Sequence, residues 1–138
     1  LQQSSSLSLC FSILKLTLLK LHIMFDFKKL NVYQKAKEFA FETKVLIENN
    51  SFDKHINDQL KRASFSIMLN IAEGSSRFSN KDRKNFLTIA RGSAFECAAI
   101  IDYLCDNKLI SNEIFQNFEN RLVEISKILF ALIKKLEN

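Results

Sequence analysis

Residues 59–93 read QLKRASFSIMLNIAEGSSRFSNKDRKNFLTIARGS. In the first half, Leu60, Ser64, Ile67 and Ile71 recur at intervals of three and four, the spacing of one face of an α-helix. Gly74 follows, and glycine ends helices because it enters the left-handed backbone region without steric cost. Ser79-Asn80-Lys81-Asp82 then approximates a capping box, with Asp82 in place of the usual Glu or Gln, and opens a second helix. The junction Gly74–Phe78 is short, so the two helices are expected to be antiparallel neighbours.

The same patterning extends in both directions. The 138 residues contain no proline and only two glycines, Gly74 and Gly92, both within this stretch. Pro and Gly are the main helix breakers, so their scarcity permits a few long helices. Upstream, Val32/Tyr33, Ala36, Phe39/Ala40 and Leu46/Ile47 predict a helix from about Lys28 to Ile47. Glu48-Asn49-Asn50-Ser51 is a polar turn, after which either Ser51 or Asp53 can cap the helix expected over Asp53–Glu73. The helix opened by Ser79 buries Phe86, Ile89/Ala90, Ser93, Cys97, Ile100/Ile101 and Leu104, and Ala90, Gly92, Ser93 and Ala94 slim its middle for close helix approach. The last helix, Ser111 to Leu136, has a near-heptad seam of Ile114, Phe118, Leu122, Ile125, Leu129, Leu132 and Leu136. Phe115, Val123, Phe130 and Ile133 add a second apolar flank. A helix apolar on two flanks is either central in the monomer or also meets a second subunit. The chain is long enough for one core, to which 13 phenylalanines contribute bulk. The expected fold is all-α, an antiparallel up-down-up-down four-helix bundle over residues 24–138.

Charge is concentrated where the fold is decided. Residues 59–93 hold seven basic side chains (Lys61, Arg62, Arg77, Lys81, Arg83, Lys84, Arg91) against Glu73 and Asp82, an excess of +5 that equals the formal net charge of the whole chain. On the helix opened by Ser79, Lys81, Lys84, Thr88 and Arg91 share a face, with Arg77 leading into it and Lys61 and Arg62 bordering it. Such a face can neutralise several phosphates, so Lys61, Arg62, Arg77, Lys81, Lys84 and Arg91 are the expected RNA or DNA contacts. The competing assignment is a solvated stripe with scattered ion pairs. Asn70 and Glu73 are expected to form an internal polar clasp that orients the hairpin.

The identities at fixed spacing carry a resemblance. R-A-x-x-S-I-x-x-N-I-A-E-G is matched by Arg62, Ala63, Ser66, Ile67, Asn70, Ile71, Ala72, Glu73 and Gly74. R-x-S and F-L-x-I-A-R-G-S follow at Arg77, Ser79, Phe86, Leu87 and Ile89–Ser93, with an acid at Glu96. FKKLNVYQKAKEF, from Phe27, is similar to an opening helix of the same kind. Together these resemble the small four-helix-bundle proteins encoded within 23S rRNA intervening sequences, over roughly Phe25 to Asn138. That family is similar to the accessory variability protein of diversity-generating retroelements, a pentameric helical barrel that binds nucleic acid and a reverse transcriptase. The resemblance implies a homopentamer, a nucleic-acid partner and, as the alternative function, a scaffold for a partner enzyme such as a reverse transcriptase. The chain departs from the pattern at Met68, where proline is frequent, at Ser75 and Ser76, and at Glu96-Cys97-Ala98, where a second acid is frequent.

Residues 1–23, LQQSSSLSLCFSILKLTLLKLHI, differ in composition from everything after them. A secretory signal is disfavoured by the uncharged LQQSSS and the lack of a small-residue cleavage pattern. A membrane span is disfavoured by Lys15, Lys20 and His22. The preferred assignment makes Met24 the natural start and 1–23 translated upstream sequence; otherwise Leu9–Ile23 is an added amphipathic or membrane-facing helix.

Enzyme chemistry finds little support. The two histidines are His22 and His55, and no Gly-rich phosphate loop, HExxH or paired-acid motif is present. Ser66 and Ser93 have no histidine partner placed by sequence. Cys10, Cys97 and Cys105 form no disulfide framework or metal motif, because Cys97 and Cys105 lie about 12 Å apart along one helix. A non-enzyme without metal or cofactor, in a reducing cytoplasm, is the expectation.

Overall fold

The computed structural model describes residues 2–23 and 25–137, so Met24, the expected natural start, lies outside the described residues. The described chain is all-α: α1 Gln2–Ile23, α2 Asn31–Glu48, α3 Lys54–Ser75, α4 Asn80–Asp106 and α5 Asn112–Glu137, with a 3-10 turn, Asp26–Lys29, before α2. That turn consumes the residues expected to begin the first bundle helix, which therefore starts at Asn31 rather than Lys28. The described residues hold five α-helices: four in the span expected to form the bundle, and α1 over 2–23.

α2–α5 share one hydrophobic core. Each contributes a stripe at helical spacing: Val32, Ala36 and Phe39 from α2, Leu60, Ile67 and Ile71 from α3, Ala90, Cys97 and Leu104 from α4, Leu122, Ile125 and Leu129 from α5. α3 packs on α4, α4 on α5, and α2 on both α3 and α5. Cross-helix pairs show the directions. Ser66 meets Ser93 and Gln59 meets Glu96; Lys84 meets Glu137 and Arg91 meets Phe130. Lys35 meets Glu124, and Glu42 meets Arg121. In each of these three sets of pairs, positions that advance along one helix retreat along the other.

The seam of α5 drifts. Its buried residues are Phe118, Leu122, Ile125, Leu129 and Ile133, while Leu132 and Leu136 are only partly covered. A straight α-helix slips about 20° per heptad against a 3.5-residue repeat, so over this length Ile133 replaces Leu132 at the centre. Ile133, expected on the flank, is thus core.

Gly74 does not take the left-handed conformation, and α3 runs on through Ser75. Its function is steric. A Cβ there would stand 3.2 Å from the Phe86 Cβ and 3.4 Å from the Arg83 carbonyl oxygen, so glycine lets α4 approach α3 closely. Neither Ser51 nor Asp53 caps α3 through its side chain, although Asp53 holds the N-cap position. Ser79 does cap α4, accepting the Asp82 amide at 3.1 Å. The Asp82 carboxylate, one methylene shorter than the usual Glu, takes the Ser79 hydroxyl at 2.8 Å.

Among the described residues the left-handed conformation falls to Lys108, with φ 59°. The Leu109 amide reaches the Leu104 carbonyl at 2.9 Å and the Lys108 amide reaches Cys105 at 2.9 Å, the double bond pattern of a Schellman motif closing α4. A side chain in that region costs about 1 kcal/mol that glycine avoids. Lys108→Gly is therefore expected to raise the urea midpoint, by a net of roughly 0.5 kcal/mol after the extra freedom of glycine in the unfolded chain is counted. The reverse condition holds at Gly92, where an added Cβ meets nothing within 4 Å and the small residue serves no close approach inside this chain. Gly92→Ala is expected to stabilise α4 by about 1 kcal/mol in a thermal melt.

α1 stands outside the core. Leu7, Leu9, Phe11, Ile13, Leu14, Leu16, Leu18 and Leu19 are 56–65% exposed. These residues are distributed around the axis, so α1 is not the one-sided amphipathic helix considered above. Among the described residues no helix is long and apolar enough to cross a membrane.

Candidate nucleic-acid interface

The end of α3, the start of α4, the end of α5 and the 3-10 turn meet at one end of the core, where their residues line one cavity. That end carries Lys28, Lys29, Arg77, Lys81, Arg83, Lys84, Lys134 and Lys135 against Asp26, Glu73, Asp82 and Glu137. The opposite half gathers Glu48, Asp53, Asp58, Asp102, Asp106 and Glu113 against Lys44, Lys54, Lys61, Arg62 and Lys108, close to balance. The molecule is electrically polar along its long axis, basic where α4 begins.

Several of these charges are already engaged. Arg77 pairs with Glu73 and lies over the Phe86 ring at 4.6 Å. Lys84 and Lys134 both reach Glu137, at 2.8 and 3.1 Å. Their hydrogen bonds, led by that of Lys84, hold the Glu137 carboxyl below the ordinary carboxylate range. Lys29 pairs with Asp26 at 3.2 Å, and Lys28 sits over the Phe25 ring at 5.4 Å. Arg83 donates from Nε to the Arg77 carbonyl at 2.7 Å. Lys81, Arg83 and Lys135 are exposed and hold no ion pair among the described residues.

The basic residues expected to form one patch divide. Lys81 and Lys84 stand together at the basic end. Arg91 lies farther along the same face of α4, with its guanidinium over Phe95 at 4.7 Å and over Phe130 of α5 at 5.7 Å. Lys61 and Arg62 lie elsewhere. Gln59 faces Glu96 across the α3–α4 interface, which places Lys61 and Arg62 roughly 20 Å from Lys81 along the axis at 1.5 Å per residue. There they lie beside Asp58. The contributions not anticipated from sequence are Lys28, Lys29, Lys134 and Lys135. The signal available for them was two Lys-Lys pairs, each at a helix terminus, but only the fold brings both beside Lys81.

The polar clasp also takes a different form. Asn70 donates from Nδ2 to the Ser66 carbonyl at 2.8 Å and to Ser66 Oγ at 3.0 Å. Ser66 Oγ meets Ser93 Oγ at 2.7 Å, and Ser93 Oγ donates to the Ile89 carbonyl at 3.1 Å. This relay ties α3 to α4 without Glu73, whose carboxylate turns to Arg77. Ser66 and Ser93 are thereby satisfied as each other's partners. Cys97 is buried, and desolvation, followed by the neighbouring Glu96, pushes its thiol up to about 12. Among the described residues no cluster of His, Cys, Asp and Glu suits a metal ion.

Two further surfaces flank the basic end. A cavity of about 710 Å³ opens between the 3-10 turn and the ends of α3 and α5. A groove of about 460 Å³ runs between α4 and α5, lined by Arg91, Phe95, Val123 and Phe130. Those last three apolar side chains are about half exposed.

Comparison with known proteins joins these features to a family. No curated protein matches the chain. Among solved structures, it is similar to a Bacteroides thetaiotaomicron protein of unknown function from the S23 ribosomal protein family. The two are 29% identical with a TM-score of 0.71, covering 75% of this chain and 98% of the other. The model for the 23S rRNA-intervening sequence protein matches residues 28–131, which include the helix pair, the buried relay and most of the basic end. The chain belongs to the 23S rRNA-intervening sequence protein family.

Proposed function

We propose that this protein is a non-catalytic bundle protein that docks on structured RNA or DNA through its basic end, in association with 23S rRNA intervening sequences. The observation that carries this reading is the convergence of Lys81, Arg83 and Lys135, three exposed cations without ion pairs, with Lys28 and Lys29 beside them. Cations without an ion pair give up no carboxylate when they meet phosphate, Arg83 keeping only its Nε bond to the Arg77 carbonyl, and each phosphate contact releases condensed counterions. Recognition would be of shape, because the deep major groove of A-form RNA hides its base edges from side chains. Of the sequence-predicted contacts, Lys81 belongs to this surface outright. Lys84 and Arg77 reach phosphate only by sharing with Glu137 and Glu73. Lys61, Arg62 and Arg91 would meet only a ligand that continues along the side of the bundle.

The arrangement of α2–α5 is read as the up-down-up-down bundle, a reading supported by the opposed order of the pairs between α3 and α4, α4 and α5, and α2 and α5. A homo-oligomer, pentameric by resemblance, is the assembly proposed. The half-exposed Phe95, Val123 and Phe130 on the α4–α5 face support it as apolar surface for a second copy. The same face favours a second reading, a scaffold for a partner enzyme, in which nucleic-acid contact is incidental. Lysine acetylation footprinting distinguishes the readings: RNA is expected to protect Lys28, Lys29, Lys81 and Lys135 and to leave Lys54 and Lys108 reactive. Uniform reactivity with and without RNA would overturn the docking surface.

A further inference from the structure

We propose that the cavity at the basic end receives an unpaired nucleobase of the bound RNA, from a strand end or a bulge, while the flanking phosphates lie on Arg83 and Lys135. This rests on the docking reading above and specifies what its surface recognises. The cavity, about 710 Å³, is within the range of sites that hold a small organic molecule. Its walls are apolar, including Leu69 and Leu132, and Phe25 and Phe27 stand at its edge with their rings perpendicular and 6.1 Å apart. Phe25 and Leu69 are more than half exposed, so the structure leaves a concave apolar and aromatic surface in water.

Charge decides the occupant. Two carboxylates border the cavity, and both are spent: Asp26 on Lys29 and Glu73 on Arg77. Arg83 and Lys135, on the same border, have no ion pair. An apolar pocket with unopposed cations at its rim fits a flat apolar body joined to an anion. A fatty carboxylate would satisfy the rim, but the positive surface continues past it to Lys28 and Lys81, which a single anion leaves uncompensated. A polyanion whose repeating unit is a planar base on a phosphate fits both parts. Aromatic side chains stack bases of any sequence, so this site would favour unpaired nucleotides without reading their identity.

The test compares one RNA hairpin in two forms, blunt and with a short unpaired 3′ tail, by fluorescence anisotropy on the full chain. The tailed form is expected to bind about tenfold more tightly, the gain that stacking of a single base commonly supplies. Leu69→Trp, which fills the cavity from an exposed position, is expected to abolish that gain while leaving blunt-hairpin affinity unchanged, and Phe25→Ala, which removes the stacking edge and also frees Lys28, is expected to abolish the gain. Equal binding of the two hairpins by the unaltered protein would overturn the pocket and leave phosphate docking standing. Failure of both hairpins to bind at low salt would overturn docking itself, and the pocket with it.

Discussion

Reversing two charges, Lys81→Glu with Lys135→Glu, is expected to lower affinity for structured RNA on the order of a hundredfold at low salt and to flatten the salt dependence by about two phosphate contacts. Both side chains are exposed and neither holds an ion pair, so folding stability should change little. That separation makes the pair more informative than Lys84. A glutamate at 84 would face Glu137, which now accepts from Lys84 at 2.8 Å, and any loss of binding would be mixed with local repulsion at the end of α5. The matched control is Lys61→Glu with Arg62→Glu, the same charge change placed roughly 20 Å away along the bundle. It should lower affinity several-fold less. Equal losses from both pairs would mean that binding senses net charge rather than the basic end.

Phe39→Ala is expected to give the largest loss of stability, about 3–5 kcal/mol. Phe39 is fully buried in α2 and packs edge-on against Phe118 of α5, with ring centroids 5.5 Å apart. It lies where α2 closes the core, and removing it takes away apolar burial and leaves a cavity between helices that cannot collapse freely. The melting temperature should fall by roughly 10–20 °C, and the loss is a large share of the stability a domain of this size possesses. Phe39→Leu, which keeps most of the volume, should lose much less. A loss below about 1 kcal/mol for the alanine variant, measured by urea titration, would contradict the assignment of this ring to the core.

The helices were legible because the information that makes them is local. Spacings of three and four, the scarcity of glycine and the absence of proline depend on nothing beyond the segment itself, so α2–α5 fall close to where periodicity puts them. Helix ends were less legible. Gly74 has the right residue type for a left-handed stop, yet the neighbouring helix uses its missing side chain for approach, and that neighbour is invisible in a linear reading. Lys108 is the converse case, a residue with no turn preference held in the left-handed region because Leu104 and Leu109 close the motif around it. In α5, the choice between Leu132 and Ile133 depended on accumulated helical phase rather than on composition.

The candidate site was half legible for the same reason. Lys81 and Lys84 declared themselves by charge density within one segment. Lys28, Lys29, Lys134 and Lys135 come from the two extremes of the bundle, and their addition to the site is a property of chain direction. Conversely, Lys61 and Arg62 are near Arg77 in sequence and distant from Lys81 in space, because α3 carries them to the other part of the core. Glu73, expected to form a clasp with Asn70, turns to Arg77 instead, and Arg91, expected on the docking face, lies over two phenylalanine rings. The buried relay instead uses two small hydroxyls, Ser66 and Ser93, whose mutual distance no spacing rule supplies.

Titrating the protein with a structured RNA across a salt series, with its mass in solution recorded, probes phosphate docking by the basic end. Phosphate docking predicts a homo-oligomer whose binding constant falls linearly with salt on logarithmic axes, with a slope of several phosphate contacts. An assembled protein with no RNA affinity at low salt would contradict it and would leave the α4–α5 face, and a protein partner, as the functional surface.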